Sequence, residues 1–388
     1  MSRGGALDSL TGLRFFAALH VVLFHFSWPY LGTAPEGFRN WVAAGYSAVG
    51  VFFVLSGFVL AWNYLDRDGH METRPRAFLA ARVARVYPVY LLTFLLSAPP
   101  TIAMSVAANG WVVAAGKLTV GGLSTLALVQ AWVPRLALYW NPPAWSVAVE
   151  AVFYVLFPGL ALGVLPRLRP SRLPVVMGVV WVLGLLPPLL FLALRPDGAG
   201  PVTAATGSTV LMVIKFNPLM RLPEFLFGVL LGWGFVRERA DGAKKGSGAV
   251  LAFTGAALLV AAGVAGPLIP YPLMHNALLA PASGLLVYGL ARGGGPLGWL
   301  LSRPLLVHLG GASYALYLLQ YPLSEGFKAL RQWVDLQSPV LVLALSVLAS
   351  VAVHRYVETP FRSRVRKALQ PWVDGESRVS ARPVVPGA

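Results

Sequence analysis

The chain has 388 residues, of which 57% are hydrophobic and 12% charged, and this low charge excludes a soluble cytosolic enzyme. The apolar excess excludes a disordered chain, and the absence of cysteine excludes disulfides, thiol nucleophiles and cysteine-ligated metals. The formal net charge of +16 is typical of a membrane protein with basic cytoplasmic loops, so no nucleic-acid partner is expected.

Apolar stretches long enough to cross a bilayer recur along the whole chain. Eleven are predicted, over about residues 13–31, 46–64, 86–106, 111–133, 145–165, 174–194, 216–236, 249–268, 273–291, 304–324 and 338–356. Arginine and lysine cluster after the second, fifth, seventh, ninth and last stretches, and the positive-inside rule places these clusters in the cytoplasm. Eleven full crossings would put the cluster at 167–172 outside the cell, whereas ten crossings place all five clusters in the cytoplasm.

The stretch at 111–133 is predicted not to cross the membrane. It is the most polar of the set, because it contains Lys117, the Gly121-Gly122 pair and Gln130. Irregular backbone is tolerated at this depth when protein covers it. We therefore expect a re-entrant or interfacial segment on the outer side.

The predicted fold is an all-α integral membrane protein, a bundle of about ten transmembrane helices plus the one re-entrant or interfacial segment, with both termini cytoplasmic. The membrane domain is predicted over 1–367, followed at 368–388 by a short, disordered cytoplasmic tail rich in Pro, Arg and Ser. A multi-pass location in the plasma (inner) membrane is expected.

Ionisable residues inside spans are costly, so each is a functional candidate. Arg14 and His25 are eleven residues apart in the first span, which puts them on one helix face about 16 Å apart. A neutral imidazole can act as a general base near pH 7. The alternative is a core histidine bonded to a neighbouring helix.

Glu150 follows the turn signal Asn141-Pro142-Pro143, and Ser146 shares its helix face. In the ten-span topology Glu150 lies about two turns below the outer boundary, at the depth of His25. The sequence therefore predicts that this carboxylate and this base meet. The alternative is an ion pair between Glu150 and an arginine that stabilises the bundle.

Two further charged pairs have the i, i+3 spacing of one helix face. Arg82 and Arg85 enter the bilayer from the inside, and guanidinium groups suit phosphates, although basic anchoring is the alternative. Arg221 and Glu224 can neutralise each other, which favours a structural role.

Two less specific patterns predict residues that line a cavity or pack between helices. Ser313 and Tyr317 share a helix face and are expected to line a cavity, and Ser56-Gly57 suits close helix approach. The sequence contains no HExxH, Walker A or GxSxG motif, so no metal and no permanently bound cofactor is expected.

In this order, these segments resemble the acyltransferase 3 family of integral membrane O-acyltransferases, over about residues 7–361. The resemblance rests on 7–14 with the Arg-x10-His spacing to His25, and on 50–58, 82–88, 145–158, 313–318 and 356–362. Each segment is weak alone, but their common order is specific.

The resemblance implies transfer of an acyl group from cytoplasmic acyl-CoA to a hydroxyl. It implies that His25 is the catalytic histidine, Arg14 its motif partner and Glu150 a required acid, and that Arg82 and Arg85 contact the CoA phosphates. Tyr87, in the same motif, is assigned to the donor. Substrate contacts are expected at Trp145, Ser146, Tyr154, Arg221, Glu224, Ser313, Tyr317 and Gln320. Relatives often carry histidine where this chain has Gln320, so a second histidine cannot be essential there.

The mechanism expected is direct transfer, in which His25 takes the proton of the acceptor hydroxyl and Glu150 orients His25; a covalent acyl-histidine is the alternative. The resemblance implies acetyl-, propionyl- or isovaleryl-CoA as donor. It implies a sugar or glycosylated small molecule such as a macrolide as acceptor, or else a cell-surface polysaccharide or glycolipid. Relatives often carry an additional extracytoplasmic domain, so here the transfer is expected to finish within the membrane unit. The competing interpretations are an exporter of a polar small molecule and a non-catalytic membrane partner.

Overall fold

The computed structural model describes residues 5–26, 31–196, 198, 200, 202–203, 206–242, 248–331 and 338–380. Over these ranges the only β-pairing is an isolated bridge between Leu65 and Met71. The α-helices of these ranges are α1 (Gly5–Phe26), α2 (Glu36–Ala43), α3 (Ala48–Tyr64), α4 (Pro75–Leu126), α5 (Trp145–Gly159), α6 (Leu173–Leu194), α7 (Thr209–Phe216), α8 (Pro218–Ala240), α9 (Ala249–Val264), α10 (Tyr271–His275), α11 (Ala280–Ala291), α12 (Gly295–Leu301), α13 (Pro304–Gly311), α14 (Ser313–Leu330), α15 (Pro339–Val353), α16 (Thr359–Ala368) and α17 (Gln370–Ser380).

In the described part of the chain, eight helical segments are long and apolar enough to cross a membrane. They are Asp8–Phe26, Glu36–Tyr64, Pro75–Leu126, Pro142–Arg167, Pro170–Leu194, Thr209–Ala240, Tyr271–Ala291 and Pro339–Gly375. A shorter apolar helix covers Ala249–Val264. The predicted all-α, multi-pass membrane fold is confirmed, while the count of ten crossings and the cytoplasmic termini stay predictions.

Helix α4 turns back on itself at Gly110, whose φ of 71° and ψ of 163° interrupt the helix. Its second half runs antiparallel to its first. Two hydrogen bonds show this: the hydroxyl of Tyr90 donates to the carbonyl of Thr125 at 2.7 Å, and the hydroxyl of Tyr87 donates to the carbonyl of Leu126 at 3.0 Å. Residues 111–126 therefore descend along the helix that precedes them.

After α4 the chain returns with only a short 3-10 helix, at Gln130–Trp132. The hydroxyls of Tyr139 and Ser105 are 2.9 Å apart, and Thr101 donates to the carbonyl of Trp140 at 3.0 Å. Thr101 and Ser105 lie in the part of α4 just before Gly110. The chain thus descends and returns along one helix, which is the path predicted for a re-entrant segment at 111–133.

The most extensive helix contact of the described residues joins α3 and α8. A Cβ atom on Gly57 would lie 2.2 Å from the carbonyl oxygen of Phe225, and one on Gly228 would lie 2.1 Å from that of Val54. Only glycine allows backbones to approach this closely. The small-residue contact predicted at Ser56-Gly57 is confirmed, and it holds Ser56 in the middle of the bundle.

Two candidate spans are broken inside the bundle. The span Thr209–Ala240 breaks at Asn217, whose side chain accepts from the backbone N–H of Leu219 at 3.0 Å and so begins α8. The span Tyr271–Ala291 breaks around Ala277, which has a left-handed φ of 53°. Irregular backbone at membrane depth is tolerated where it is buried in protein or lines a cavity, so both breaks mark places to search for a site.

The predicted disordered tail from residue 368 needs correction, because Gln370–Ser380 form helix α17. The carboxamide of Gln370 donates to Asp374 one turn later, at 2.9 Å. The guanidinium of Arg76 lies 5.6 Å from the centre of the Trp372 ring, so the helix also packs on the start of α4. Residues 381–388 lie outside the described residues.

Candidate active site

Two adjoining cavities lie inside the bundle. The first, the arginine cavity, has a volume of about 90 Å³, and the second, the histidine cavity, has about 210 Å³. Val49 and Tyr317 line both, so a single wall separates them. The sequence predicted one shared site, whereas the structure divides the candidate residues between two chambers.

The arginine cavity collects residues from α1, α3, α4, α5 and α14. Eight of the predicted site residues line it: Arg14, Arg82, Arg85, Ser146, Glu150, Tyr154, Ser313 and Tyr317. The predicted cavity position of Ser313 and Tyr317 is therefore confirmed. Ser313 also donates to the carbonyl of Gly310 at 2.7 Å, and the hydroxyls of Ser146 and Tyr317 are hydrogen-bonded at 2.9 Å.

The charge of this cavity is predominantly positive. Among its described lining residues, three are arginines and Glu150 is the single carboxylate. Arg362, from α16, adds a further positive charge that acts on Arg82 and Arg85. Buried Nε atoms of Arg14 and Arg82 find no hydrogen-bond partner in the described part of the chain. Guanidinium groups with free donors in a cavity are suited to bind an anion such as phosphate.

Arg82 is held in place by aromatic side chains. Its Nη2 donates to the hydroxyl of Tyr64 at 2.9 Å, and its guanidinium lies 5.8 Å from the centre of the Tyr154 ring. Cation–π contacts of this kind stabilise a cation without neutralising it. The positive charge therefore stays available to a ligand.

Glu150 does not meet His25, so this prediction is wrong. Glu150 Oε1 accepts from the hydroxyl of Ser56 at 2.7 Å, and its charge acts on Arg14. Glu150 forms no ion pair with an arginine among the described residues, so the ion-pair alternative stays a prediction. Arg14 and His25 are about 16 Å apart along α1.

The error in depth arises because α5 begins inside the bundle and not at its outer boundary. The carboxamide of Gln130 donates both to the hydroxyl of Tyr90 at 3.0 Å and to the carbonyl of Ala144 at 3.2 Å. Tyr90 lies twenty residues before the turn at Gly110, or about 30 Å along α4. His25 shares its cavity with Pro143 and Trp145 at the start of α5, so Glu150 lies about 8 Å further along that helix than the level of His25.

His25 lines the histidine cavity and is solvent-accessible. Its Nδ1 is 3.0 Å from the carbonyl oxygen of Val21. A carbonyl oxygen only accepts, so Nδ1 carries the hydrogen and Nε2 of the neutral ring keeps its lone pair. The carboxamide of Gln320 lies beside the ring and donates to the carbonyl of Tyr317 at 2.6 Å. The neutral His25 ring with its hydrogen on Nδ1 is the tautomer that a general base needs, because Nε2 can then accept a proton.

Sequence reasoning missed four polar residues of the histidine cavity. They are Tyr46, Lys215, Tyr271 and His275. The predicted spans at 216–236 and 273–291 left Lys215 in a loop and His275 at a span end. A usable signal was present in Asn217-Pro218 and Pro270 to Pro272, since prolines beside apolar stretches mark helix breaks. Trp145, a predicted substrate residue, also lines this cavity.

Arg221 and Glu224 act as an internal brace, which is the structural role that their spacing favoured and not the substrate contact that was also expected. Arg221 Nη2 lies 2.9 Å from Glu224 Oε2, and both side chains are buried. Glu224 accepts from the backbone N–H of Ala277 at 3.2 Å, and Arg221 Nη1 is 2.9 Å from His275 Nδ1. Neither residue is part of the described lining of either cavity. The pair instead holds the broken span that carries His275.

Tyr87 also has a different position from the one predicted. Its hydroxyl donates to Leu126 of the re-entrant segment, and it lines an apolar groove of about 460 Å³. Arg82 and Tyr154 border both this groove and the arginine cavity. Tyr87 therefore lines the groove beside the arginine cavity and not the cavity itself, and its hydroxyl anchors the chain after Gly110.

The sequence matches known proteins over almost its full length. Residues 7–354 match the acyltransferase domain family. Acyltransferase MdmB of Streptomyces mycarofaciens is 31% identical over 91% of both chains. O-acetyltransferase OatA of Staphylococcus aureus strain NCTC 8325 / PS 47 is 24% identical over 94% of this chain, which covers 58% of OatA. No solved structure matches the chain.

The family match covers the segments that carry the two cavities. It includes α1 with Arg14 and His25, the Arg82 and Arg85 pair, and the helix of Glu150. The chain belongs to the acyltransferase 3 family of membrane O-acyltransferases.

Proposed function

We propose that this protein transfers a short acyl group from acyl-CoA to a hydroxyl of a sugar or of a glycosylated small molecule such as a macrolide. The observation that carries the proposal is the pairing of the two cavities across Tyr317. One presents guanidinium groups of which two, Arg14 and Arg82, have a buried Nε without a partner among the described residues, and the other presents an imidazole with a free lone pair. Acyl-CoA needs guanidinium groups to bind its phosphates and a base to activate the hydroxyl that attacks its thioester.

The donor is assigned to the arginine cavity. Arg82 and Arg85, with Arg362 nearby, supply the charge and the donors that the CoA phosphates require. The positive-inside rule puts these residues at the cytoplasmic face, where acyl-CoA is available. The pantetheine then extends past Arg14 toward Tyr317. Acetyl-, propionyl- and isovaleryl-CoA are the donors proposed.

The reaction is assigned to the histidine cavity. His25 Nε2 takes the proton of the acceptor hydroxyl while its oxygen attacks the thioester carbon. The carbon–sulfur bond then breaks, and the CoA thiolate leaves with the proton that His25 has taken. The carbonyl of Val21 holds the ring, so no carboxylate contact is needed to set its tautomer.

The acceptor is inferred from the relatives. Acyltransferase MdmB matches this chain over 91% of both lengths, whereas OatA extends well beyond the region it shares. This favours a small glycosylated acceptor over a cell-surface polymer. Acylation of a surface polysaccharide or glycolipid is the second candidate.

Replacing His25 tests the reaction. Purified protein in detergent is incubated with mixed short acyl-CoAs and a panel of sugars and glycosylated macrolides, and products are read by mass spectrometry. We expect a mass gain on an acceptor with the wild type and a loss of turnover of about 100-fold or more in His25→Gln.

His20→Gln is the matched control. His20 is on the same helix, but its ring stacks on Trp41 and its Nε2 bonds to the Trp41 carbonyl at 2.7 Å. This variant should retain wild-type turnover. Full activity in His25→Gln would contradict the assigned base, and no release of CoA by folded wild-type protein would favour an exporter.

A further inference from the structure

We propose that Lys215 stabilises the oxyanion that forms when the acceptor attacks the thioester. This inference rests on the proposed acyl transfer and adds a catalytic residue to it. The residue lies at the end of α7, at the break in the span Thr209–Ala240, and it lines the histidine cavity together with His25.

Lys215 is a buried cation without a counter-ion. Its side chain belongs to a residue only 6% exposed, and no carboxylate of the described residues lies within ion-pair distance. Its Nζ is 5.0 Å from the ring centre of Phe216 and 5.1 Å from that of Tyr271. Aromatic faces compensate a buried ammonium only in part, so the site keeps an unmet demand for negative charge.

Hydrogen bonds hold the residues around Lys215 in one arrangement. His275 Nδ1 faces Arg221 Nη1 at 2.9 Å, and an arginine can only donate, so the neutral ring carries its hydrogen on Nε2. His275 is thereby kept as a donor and does not compete with His25 as a base. The Arg221–Glu224 brace and the left-handed Ala277 fix this arrangement.

The reaction creates negative charge where such a cation is useful. The new bond joins the acceptor oxygen to the thioester carbon, and the carbonyl electron pair moves to oxygen. The Lys215 ammonium donates to that oxygen until the carbon–sulfur bond breaks and the pair returns. Because the charge exists only in the transition state and intermediate, this contact accelerates the reaction without tighter binding of the neutral groups.

Lys215→Met removes the charge while keeping an apolar side chain of similar length. Release of CoA from acetyl-CoA, with and without acceptor, is measured with a thiol reagent, which the cysteine-free protein does not consume. We expect kcat to fall about 100-fold, with KM for acetyl-CoA and acceptor nearly unchanged. We also expect a higher melting temperature, because an uncompensated buried charge is removed.

Two further variants separate the outcomes. Lys215→Arg should recover part of kcat, since it restores the charge. Lys328→Met, at an exposed lysine paired with Glu325 at 2.7 Å, should leave kcat unchanged. Unchanged kcat in Lys215→Met, a rise in acceptor KM alone, or a lower melting temperature without rescue by arginine would each overturn the proposal. A wild type that releases no CoA would instead overturn the proposed function itself.

Discussion

At the scale of single residues, the arginines of the first cavity differ from ordinary basic anchors. An anchoring arginine at a cytoplasmic boundary points its guanidinium to water. Arg82 instead packs on Tyr64 and Tyr154, and its Nε is buried without a partner among the described residues. Such an arrangement is costly unless an anion completes it.

Replacing Arg85 with methionine tests whether that anion is the nucleotide of the donor. We expect KM for acetyl-CoA to rise about 10-fold or more, because a charge-assisted contact to phosphate is lost. With acetyl-pantetheine, which lacks the nucleotide, the same variant should behave like the wild type. Steady-state kinetics with both donors measures this difference.

Arg303→Met provides the control, since Arg303 stacks on Trp299 away from both cavities. It should leave both KM values unchanged. An equal loss with acetyl-CoA and acetyl-pantetheine in Arg85→Met would mean that Arg85 does not read the phosphates.

At the scale of elements, the contact between α3 and α8 positions the carboxylate of the arginine cavity. Ser56 precedes Gly57 in α3, and its hydroxyl holds Glu150 of α5 at 2.7 Å. A shift of α3 away from α8 would therefore move Ser56 relative to Glu150. The two breaks that place Lys215 and His275 at the histidine cavity depend on the same packing, because α8 carries the Arg221–Glu224 brace.

Gly57→Ala is expected to destabilise the protein by about 1–3 kcal/mol, because its Cβ would overlap the carbonyl of Phe225. Gly178→Ala in α6 is the matched control, since no atom of the described residues lies within 4 Å of its added Cβ. That variant should be neutral or slightly more stable. Thermal unfolding in detergent compares the two, and equal melting temperatures would contradict the close contact.

At the scale of the whole molecule, the re-entrant segment determines how the chain is threaded. With 111–140 descending and returning along α4, the basic residues before α4 and after α5 lie on one side. The turn near Gly110 then lies on the other. This agrees with the loop charges, which require an even number of crossings between Arg67 and Arg167.

Cysteine labelling tests this threading directly, because the natural chain contains no cysteine. Lys117→Cys, near the turn, should react with a membrane-impermeant maleimide from outside intact cells. Arg169→Cys should react only in inverted vesicles. Labelling of both positions from the same side would contradict the re-entrant path.

Patterns that depend on neighbours in sequence were predicted well. The helical class, the low polarity of the spans, the close approach at Gly57 and the polar character of 111–133 all follow from composition over one or two helical turns. The cavity positions of Ser146, Ser313 and Tyr317 follow from their helix faces in the same way. The tautomer of His25 depends on Val21, one turn away on the same helix.

The sequence by itself determined that this is an all-α membrane protein of a recognisable acyltransferase family, because hydropathy, charge and motif order are written along the chain. Only the tertiary structure decided that Glu150 accompanies Arg14, that Arg221 and Glu224 brace a broken helix, and that Lys215 and His275 surround His25. The physical reason is depth. A residue's level in the bundle depends on where its helix starts and breaks, and here the fold of 111–140 and the breaks at Asn217 and Ala277 determine those points.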